Sequence, residues 1–321
     1  MIPLYKPTIY KDTIKNVNDC LKTSWISSNG KFINKFEMAF SKFTKIKHSV
    51  SVCNGTVAIH LALLALGIKK GDQVIVPSFT YIASVNPIKY INAKPVFVES
   101  NLDDFQIDLE DMKKKINKKT KAIICPHLYG NMTDMNKLKK ICNKYKIFLI
   151  EDCAEAIGSY YKNKHAGNFG SIATFSFYGN KTISTGEGGM VCTNNKTLAK
   201  KIFKLKTQGL KNPNKYYFHD IVGYNYRMPN LNAALLAGQI ENLNPFADQE
   251  LIYQNQVYEL FNTDVPNDTN APELASDGSF FGVPQFQNPY RGIAFQVLGE
   301  KNKAGGQDYS YQGQVVNLST L

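Results

Sequence analysis

His48 to Pro77, HSVSVCNGTVAIHLALLALGIKKGDQVIVP, holds one full repeat of the pattern that sets the fold. HSVSVC (48–53) is strand-like, VAIHLALLALGI (57–68) carries helical apolar spacing that closes at a glycine, and GDQVIVP (71–77) opens the next strand. The alternation continues. YIASVNPIKYI (81–91) reads as a helix despite Pro87, AKPVFV (93–98) as a strand and LEDMKKKI (109–116) as a helix. KAIICPHLYG (121–130), the helix MNKLKKICNKY (135–145) and the strand KIFLIED (146–152) extend the series. Two shorter strands, SIATFSF (171–177) and GGMVCTN (188–194), precede the helices TLAKKIFKLKTQ (197–208) and PNLNAALLAGQIENL (229–243). Such repetition predicts an α/β architecture: a mixed, mostly parallel sheet flanked by helices, with ligands bound beyond the carboxyl ends of the strands.

The chain has 321 residues and a net charge of +12, unevenly placed. Residues 1–241 hold 35 of the 38 Lys and Arg against 17 of the 26 Asp and Glu, a surplus of 18 positive charges; residues 242–321 carry a net −6. The positive residues are nearly all lysines on helix surfaces, as in MKKKINKKTK, so we read solvated faces that attract a small anionic substrate and expect no nucleic-acid partner. Six scattered cysteines without CxxC spacing read as reduced core residues and point to the cytoplasm. MIPLYKPTIYKD lacks a basic region followed by a long apolar run, and no stretch reaches 18 apolar residues, so neither secretion nor a membrane partner is expected. The five histidines show no close metal-ligand spacing, and no metal site is expected. Near residue 243 lysine almost disappears and turn signals take over, as in TDVPNDTNAPELASDGS (263–279). The expected division is a large domain over 1–243 and an atypical C-terminal region, a reduced small domain, over 244–321.

Chemistry concentrates around two residues. Asp152 ends KIFLIED, and Lys181 lies in the glycine-rich loop SFYGNKTISTGEGG (176–189). A lysine in such a loop can form a Schiff base with an aldehyde, and an aspartate at a strand's carboxyl end can pair with a ring nitrogen, which together suggest a pyridoxal 5'-phosphate cofactor. Gly55 and Thr56, at the turn from HSVSVC into a helix, suit a phosphate, although an ordinary helix cap explains Asn54-Gly55-Thr56 equally. Tyr81, just past a strand, is the candidate for stacking on the pyridine ring, with Phe79 its competitor. Glu155 follows Asp152 by three and is expected on the same helical face. Ser176 is a second phosphate donor. Asn225 and Arg227, in GYNYRMPN, introduce a helix rich in small residues that suits an internal position or a subunit interface.

These motifs, in order, resemble the DegT/DnrJ/EryC1/StrS family of pyridoxal-phosphate-dependent nucleotide-sugar aminotransferases over residues 1–243. The similarity runs through TSWISSNGKFINKFE, the segment VCNGTVAIH…FTYIASV, PHLYG, IEDCAEAIGS, FSFYGNKTISTGEGG and YNYRMPNLNAA. It implies the type I fold of aspartate-aminotransferase-like enzymes, with Lys181 at the Schiff-base position and Asp152 at the ring nitrogen. It further implies Tyr81 as the stacking aromatic and Gly55, Thr56 and Ser176 as phosphate contacts. Asn225 would reach the phosphate of the neighbouring subunit in a homodimer with shared sites. A lysine at 181 separates the chain from the family's sugar dehydratases, which carry histidine there. EDCAEAIGS, TSWISSNGK and SVCNGTVAIHLALLALGI narrow the implied reaction to amino transfer from L-glutamate to C4 of GDP-4-keto-6-deoxy-D-mannose, giving GDP-perosamine for surface polysaccharide. Two alternatives stay open: a C4 aminotransferase of a UDP-linked 4-keto-6-deoxy amino sugar, and a noncatalytic relative that binds a sugar nucleotide.

Overall fold

The computed structural model describes residues 7–211 and 218–243; the expected C-terminal region over 244–321 lies outside the described residues. Two helices lead the described chain, α1 (Lys11–Thr23) and α2 (Lys31–Thr44). Strand β1 (His48–Val52), helix α3 (Gly55–Ala65), β2 (Gln73–Pro77), α4 (Asn86–Tyr90) and β3 (Lys94–Val98) follow. Then come α5 (Leu109–Lys115), β4 (Thr120–Pro126), α6 (Met135–Tyr145), β5 (Phe148–Asp152) and a hairpin of β6 (Tyr160–Tyr161) with β7 (Lys164–His165). Strands β8 (Ile172–Ser176) and β9 (Gly189–Thr193) and helices α7 (Lys196–Lys206) and α8 (Asn230–Ile240) complete it.

Seven strands form one sheet in the order β1-β9-β8-β5-β4-β2-β3. Pairings from β3 across to β8 are parallel, while β9 runs antiparallel to both β8 and β1. Reversal at β9 leaves β1 pointing the same way as β8. The carboxyl ends of β1, β2, β4, β5 and β8 therefore share one edge, and every candidate site residue before Lys181 lies on or just after one of those ends.

Helix α3 is apolar all round and is buried, packed on β8 and β9 and against α4 and α7. The opposite face of the sheet supports a second core, in which Ile75, Ile123, Cys125 and Leu149 meet Leu109 and Met112 of α5 and Met135, Leu138 and Ile141 of α6. Phe36 and Phe40 of α2 pack edge-on against Phe177 and Phe175, at centroid separations of 5.2 and 4.9 Å. Because side chains alternate along β5, Glu151 faces this second core and Asp152 faces the α3 side.

The helix expected over 81–91 is two pieces. Tyr81 precedes a short 3-10 turn at Ile82–Ser84, and α4 begins afresh with Pro87 in its first turn, where the missing N–H has no helical carbonyl to bond. The sequence reading also did not assign α1, α2 or the β6–β7 hairpin. Among the described residues no helix is long and apolar enough to cross a membrane. All six cysteines are free; Cys53 is half-buried and the others are buried.

Candidate active site

The edge where the parallel strands end is assembled from backbone constraints. Asn54 caps α3, its side chain accepting from the Val57 N–H at 3.0 Å, so the cap alternative holds for Asn54 and leaves Gly55 and Thr56 in the first turn of the helix. Gly55 lies against Ser176 so closely that an added Cβ would sit 2.9 Å from the Ser176 Cβ. Gly189, paired with both Val52 and Ser176, is tighter still against the backbone of Asn54. Two of the three candidate phosphate contacts, Gly55 and Ser176, 121 residues apart in sequence, thus share one small cradle that a side chain at Gly55 would fill. Gly55→Ala is expected to cost about 1–3 kcal/mol through this overlap, read as a lower urea midpoint, and to weaken pyridoxal phosphate binding in a spectroscopic titration.

Asp152 ends β5 and is buried. Its Oδ2 accepts from the Ser84 hydroxyl at 2.7 Å and its Oδ1 from the Ala154 N–H at 3.2 Å. Burial raises its carboxyl above the ordinary range, against the lowering pull of Ser84, the Ala154 amide and Lys181. A buried carboxylate with two donors retains acceptor capacity and favours a cation beside it, which is what a protonated pyridine ring supplies.

Lys181 sits in a loop closed by Phe177 N–H to Gly188 O at 2.8 Å and tied to α8 through Gln239, whose amide exchanges two hydrogen bonds with the Ser184 backbone at 2.9 and 2.7 Å. Its ammonium donates to Glu155 Oε1 at 3.0 Å, and Glu155 Oε2 accepts from the Tyr129 N–H at 2.9 Å. Tyr129 adopts a left-handed conformation, φ 54°, within the PHLYG turn. Glu155 is not on a helix with Asp152, as expected from its spacing: residues 153–158 form turns, and the Asp152 side chain bonds the backbone two residues on. The short turn nevertheless brings Glu155 to Lys181.

Tyr81 is 75% exposed at the end of β2, whereas its competitor Phe79 is engaged with Phe105 at 5.2 Å. Asn225 is exposed, in a segment whose neighbours Arg227 and Tyr226 pair with Val52 and Cys53 and so lie alongside the end of β1.

Sequence reasoning missed three residues here: Ser84, Gln239 and Glu151. Glu151 is fully buried, and its carboxylate accepts from His127 Nε2 at 3.1 Å, Gly167 N at 2.8 Å, Phe169 N at 2.7 Å and Gly170 N at 2.6 Å. Burial pushes its carboxyl up, but His127 and the amides outweigh it and leave it below the ordinary range. A carboxylate on the core-facing side of an apolar strand was the available signal for such a network. His127, Glu151 and Cys153 also cluster within 4.8 Å, but both carboxylate oxygens are already committed to donors, so the cluster reads as structural.

The donor set fits pyridoxal phosphate: a glycine–serine cradle at a helix start, a buried aspartate with acceptor capacity to spare, and a lysine amine at the same edge of the sheet. Comparison with known proteins agrees. The DegT/DnrJ/EryC1/StrS aminotransferase family matches residues 7–279, reaching past the composition change near 243. The chain is 51% identical over 249 residues to the GDP-perosamine synthase of Escherichia coli O157:H7, covering 78% of this chain and 68% of that protein. It is 46% identical over 280 residues to the GDP-perosamine synthase of Vibrio cholerae, covering 87% and 75%. Among solved structures, a mutant of GDP-4-keto-6-deoxymannose-3-dehydratase (ColD) with bound GDP-perosamine superposes with a TM-score of 0.77 at 25% identity, over 81% of this chain and 73% of that one.

Proposed function

This chain belongs to the DegT/DnrJ/EryC1/StrS aminotransferase family, whose members use pyridoxal phosphate, and on that premise we propose that it moves the amino group of L-glutamate to C4 of GDP-4-keto-6-deoxy-D-mannose, giving GDP-perosamine. The observation that carries the chemistry is a lysine amine held 3.0 Å from a carboxylate at the sheet edge where the Gly55–Ser176 cradle and buried Asp152 also lie. The GDP-linked substrate is supported by the two relatives that bear the GDP-perosamine synthase name.

When bound, the cofactor supplies a carbonyl that accepts the amino group and a ring that withdraws electrons from the reacting carbon. Lys181 would hold it through its amine and, whenever that amine is free, would carry the proton to and from the reacting carbon. Asp152 would pair with the ring nitrogen and favour its protonated form; Gly55, Thr56 and Ser176 would hold the phosphate, and Tyr81 would stack on the ring. Glu155 orients the Lys181 amine whenever it is not covalently engaged. Asn225, exposed beside the end of β1, completes the neighbouring site in a homodimer. The enzyme works in the cytoplasm, upstream of surface polysaccharide such as the O antigen of lipopolysaccharide; buried, unpaired cysteines suit that compartment.

Competition among GDP-, UDP- and dTDP-linked 4-keto-6-deoxy sugars, with glutamate as donor, tests the substrate. A preference for the GDP-linked sugar of about tenfold or more in kcat/KM is expected, since one base-reading hydrogen bond to a buried group is worth that much. Preference for a UDP-linked amino sugar would replace this assignment.

A further inference from the structure

Ser84 is held by nothing that its place in a short turn requires. It is 1% exposed, and its hydroxyl reaches Asp152 Oδ2 at 2.7 Å across 68 residues of sequence. Behind it, the Thr80 hydroxyl lies 3.1 Å from the Ser84 oxygen. A hydroxyl has one hydrogen to give. When Asp152 is ionised, Ser84 must spend its hydrogen on the carboxylate and Thr80 must donate to Ser84, so the two hydroxyls form a relay whose polarity favours the charged form of Asp152. The charged groups that also act on this carboxyl are Lys181, which favours the ion, and Glu155, which opposes it. The same turn that presents Tyr81 therefore delivers a donor to the carboxylate on the site's floor.

We propose that Ser84, backed by Thr80, is a positioning residue for the reaction: its hydroxyl aims Asp152 Oδ2 and holds that carboxylate ionised, so that the ring nitrogen of the cofactor, rather than Asp152, keeps the proton. This rests on the proposed pyridoxal phosphate reading and deepens it. Without the hydroxyl, the buried carboxylate loses its shorter hydrogen bond and competes for the proton, and the ring withdraws electrons less effectively. Substrate binding groups are untouched.

The test pairs Ser84→Ala with a cofactor analogue in which the ring nitrogen is replaced by carbon. With pyridoxal phosphate, Ser84→Ala is expected to lower kcat about 10- to 100-fold, the usual worth of a hydrogen bond to a charged group, with KM for glutamate within about twofold of the parent. With the carbon analogue, which offers Asp152 no proton to share, parent and variant are expected to run at equal rates. Thr80→Val carries the same test should Ser84→Ala not fold, with a loss of about two- to fivefold on the natural cofactor, the lower end of a neutral hydrogen bond, and none on the analogue. Equal losses with both cofactors, or no loss with either, overturn the proposal. Absence of a visible cofactor band in the parent protein would instead overturn the pyridoxal phosphate reading itself, so the two failures are distinct.

Discussion

Lys181→Ala protein is expected to fold as the parent does and to lose turnover by about four orders of magnitude or more. General acid–base catalysis alone contributes up to about 10⁴-fold, and in this site one amine serves as both covalent anchor and proton carrier. Its amine donates to Glu155 at 3.0 Å, with the two side chains 17% and 32% exposed. Solvent screens such a pair, and Glu155 retains the Tyr129 N–H, so the stability change is expected to stay within about 1 kcal/mol. Visible absorption separates the possibilities. Parent protein mixed with pyridoxal phosphate should develop a band that disappears when L-glutamate is added, and the variant should show neither the band nor its loss. A variant that keeps full turnover would remove Lys181 from the chemistry.

Glu151→Ala is expected to produce the largest loss of stability, although Glu151 faces the second core, on the opposite side of the sheet from Asp152. Its carboxylate collects three backbone amides, from Gly167, Phe169 and Gly170, and the His127 ring in a region without solvent. Truncation strands four donors at once. Breaking a buried charged network costs about 3–5 kcal/mol, which a urea midpoint would register. Glu151→Gln should recover part of this, since its amide oxygen accepts from two of the donors while its NH₂ meets another N–H head-on.

The pH dependence has a definite sign. Glu151 has a depressed carboxyl in the folded protein, so its contribution is complete above the unfolded carboxylate range and fades as pH falls through the lower folded value. His165 acts in the same direction: burial pushes it down from 6.5 to about 4, its Nε2 accepting from Gly158 N and its Nδ1 donating to the Ala166 carbonyl. Stability should therefore decline between about pH 6.5 and 4 as the unfolded chain takes up the proton first. Glu151→Gln should leave that decline in place and remove the further one that follows below the ordinary carboxylate range.

Strands and the residues the structure gathers at their carboxyl ends were legible because each is written locally. A period of two in HSVSVC, a short unbroken apolar run in KIFLIED, and glycines on either side of a lysine need no distant partner to be recognised. Glu155 meets Lys181 by a route its spacing did not suggest, since a turn rather than a helix carries it there. Ser84 was invisible because YIASVNPIKYI looks like one amphipathic stretch. Only the break before Pro87 releases Ser84 from helix and aims it at β5. Gln239 and Glu151 escaped for a related reason: a buried polar side chain declares itself through partners that sequence does not reveal, here Ser184 and a loop near residue 167.

Asn230, the first residue of α8, binds the amino-terminal helices to the end of the described chain: its amide donates to Trp25 O at 2.6 Å and accepts from Phe32 N at 3.0 Å, while its own N–H meets Ser27 O. On the ribosome this has a temporal meaning. Residues 11–44 receive these partners only after nearly 190 further residues are made, roughly 10–40 s at ordinary elongation rates. Phe36 and Phe40 wait similarly for Phe175 and Phe177. During that interval the apolar face of α2 is exposed with nowhere to dock, so this segment is the one most in need of a chaperone, and slowed synthesis before residue 240 should reduce the yield of soluble protein.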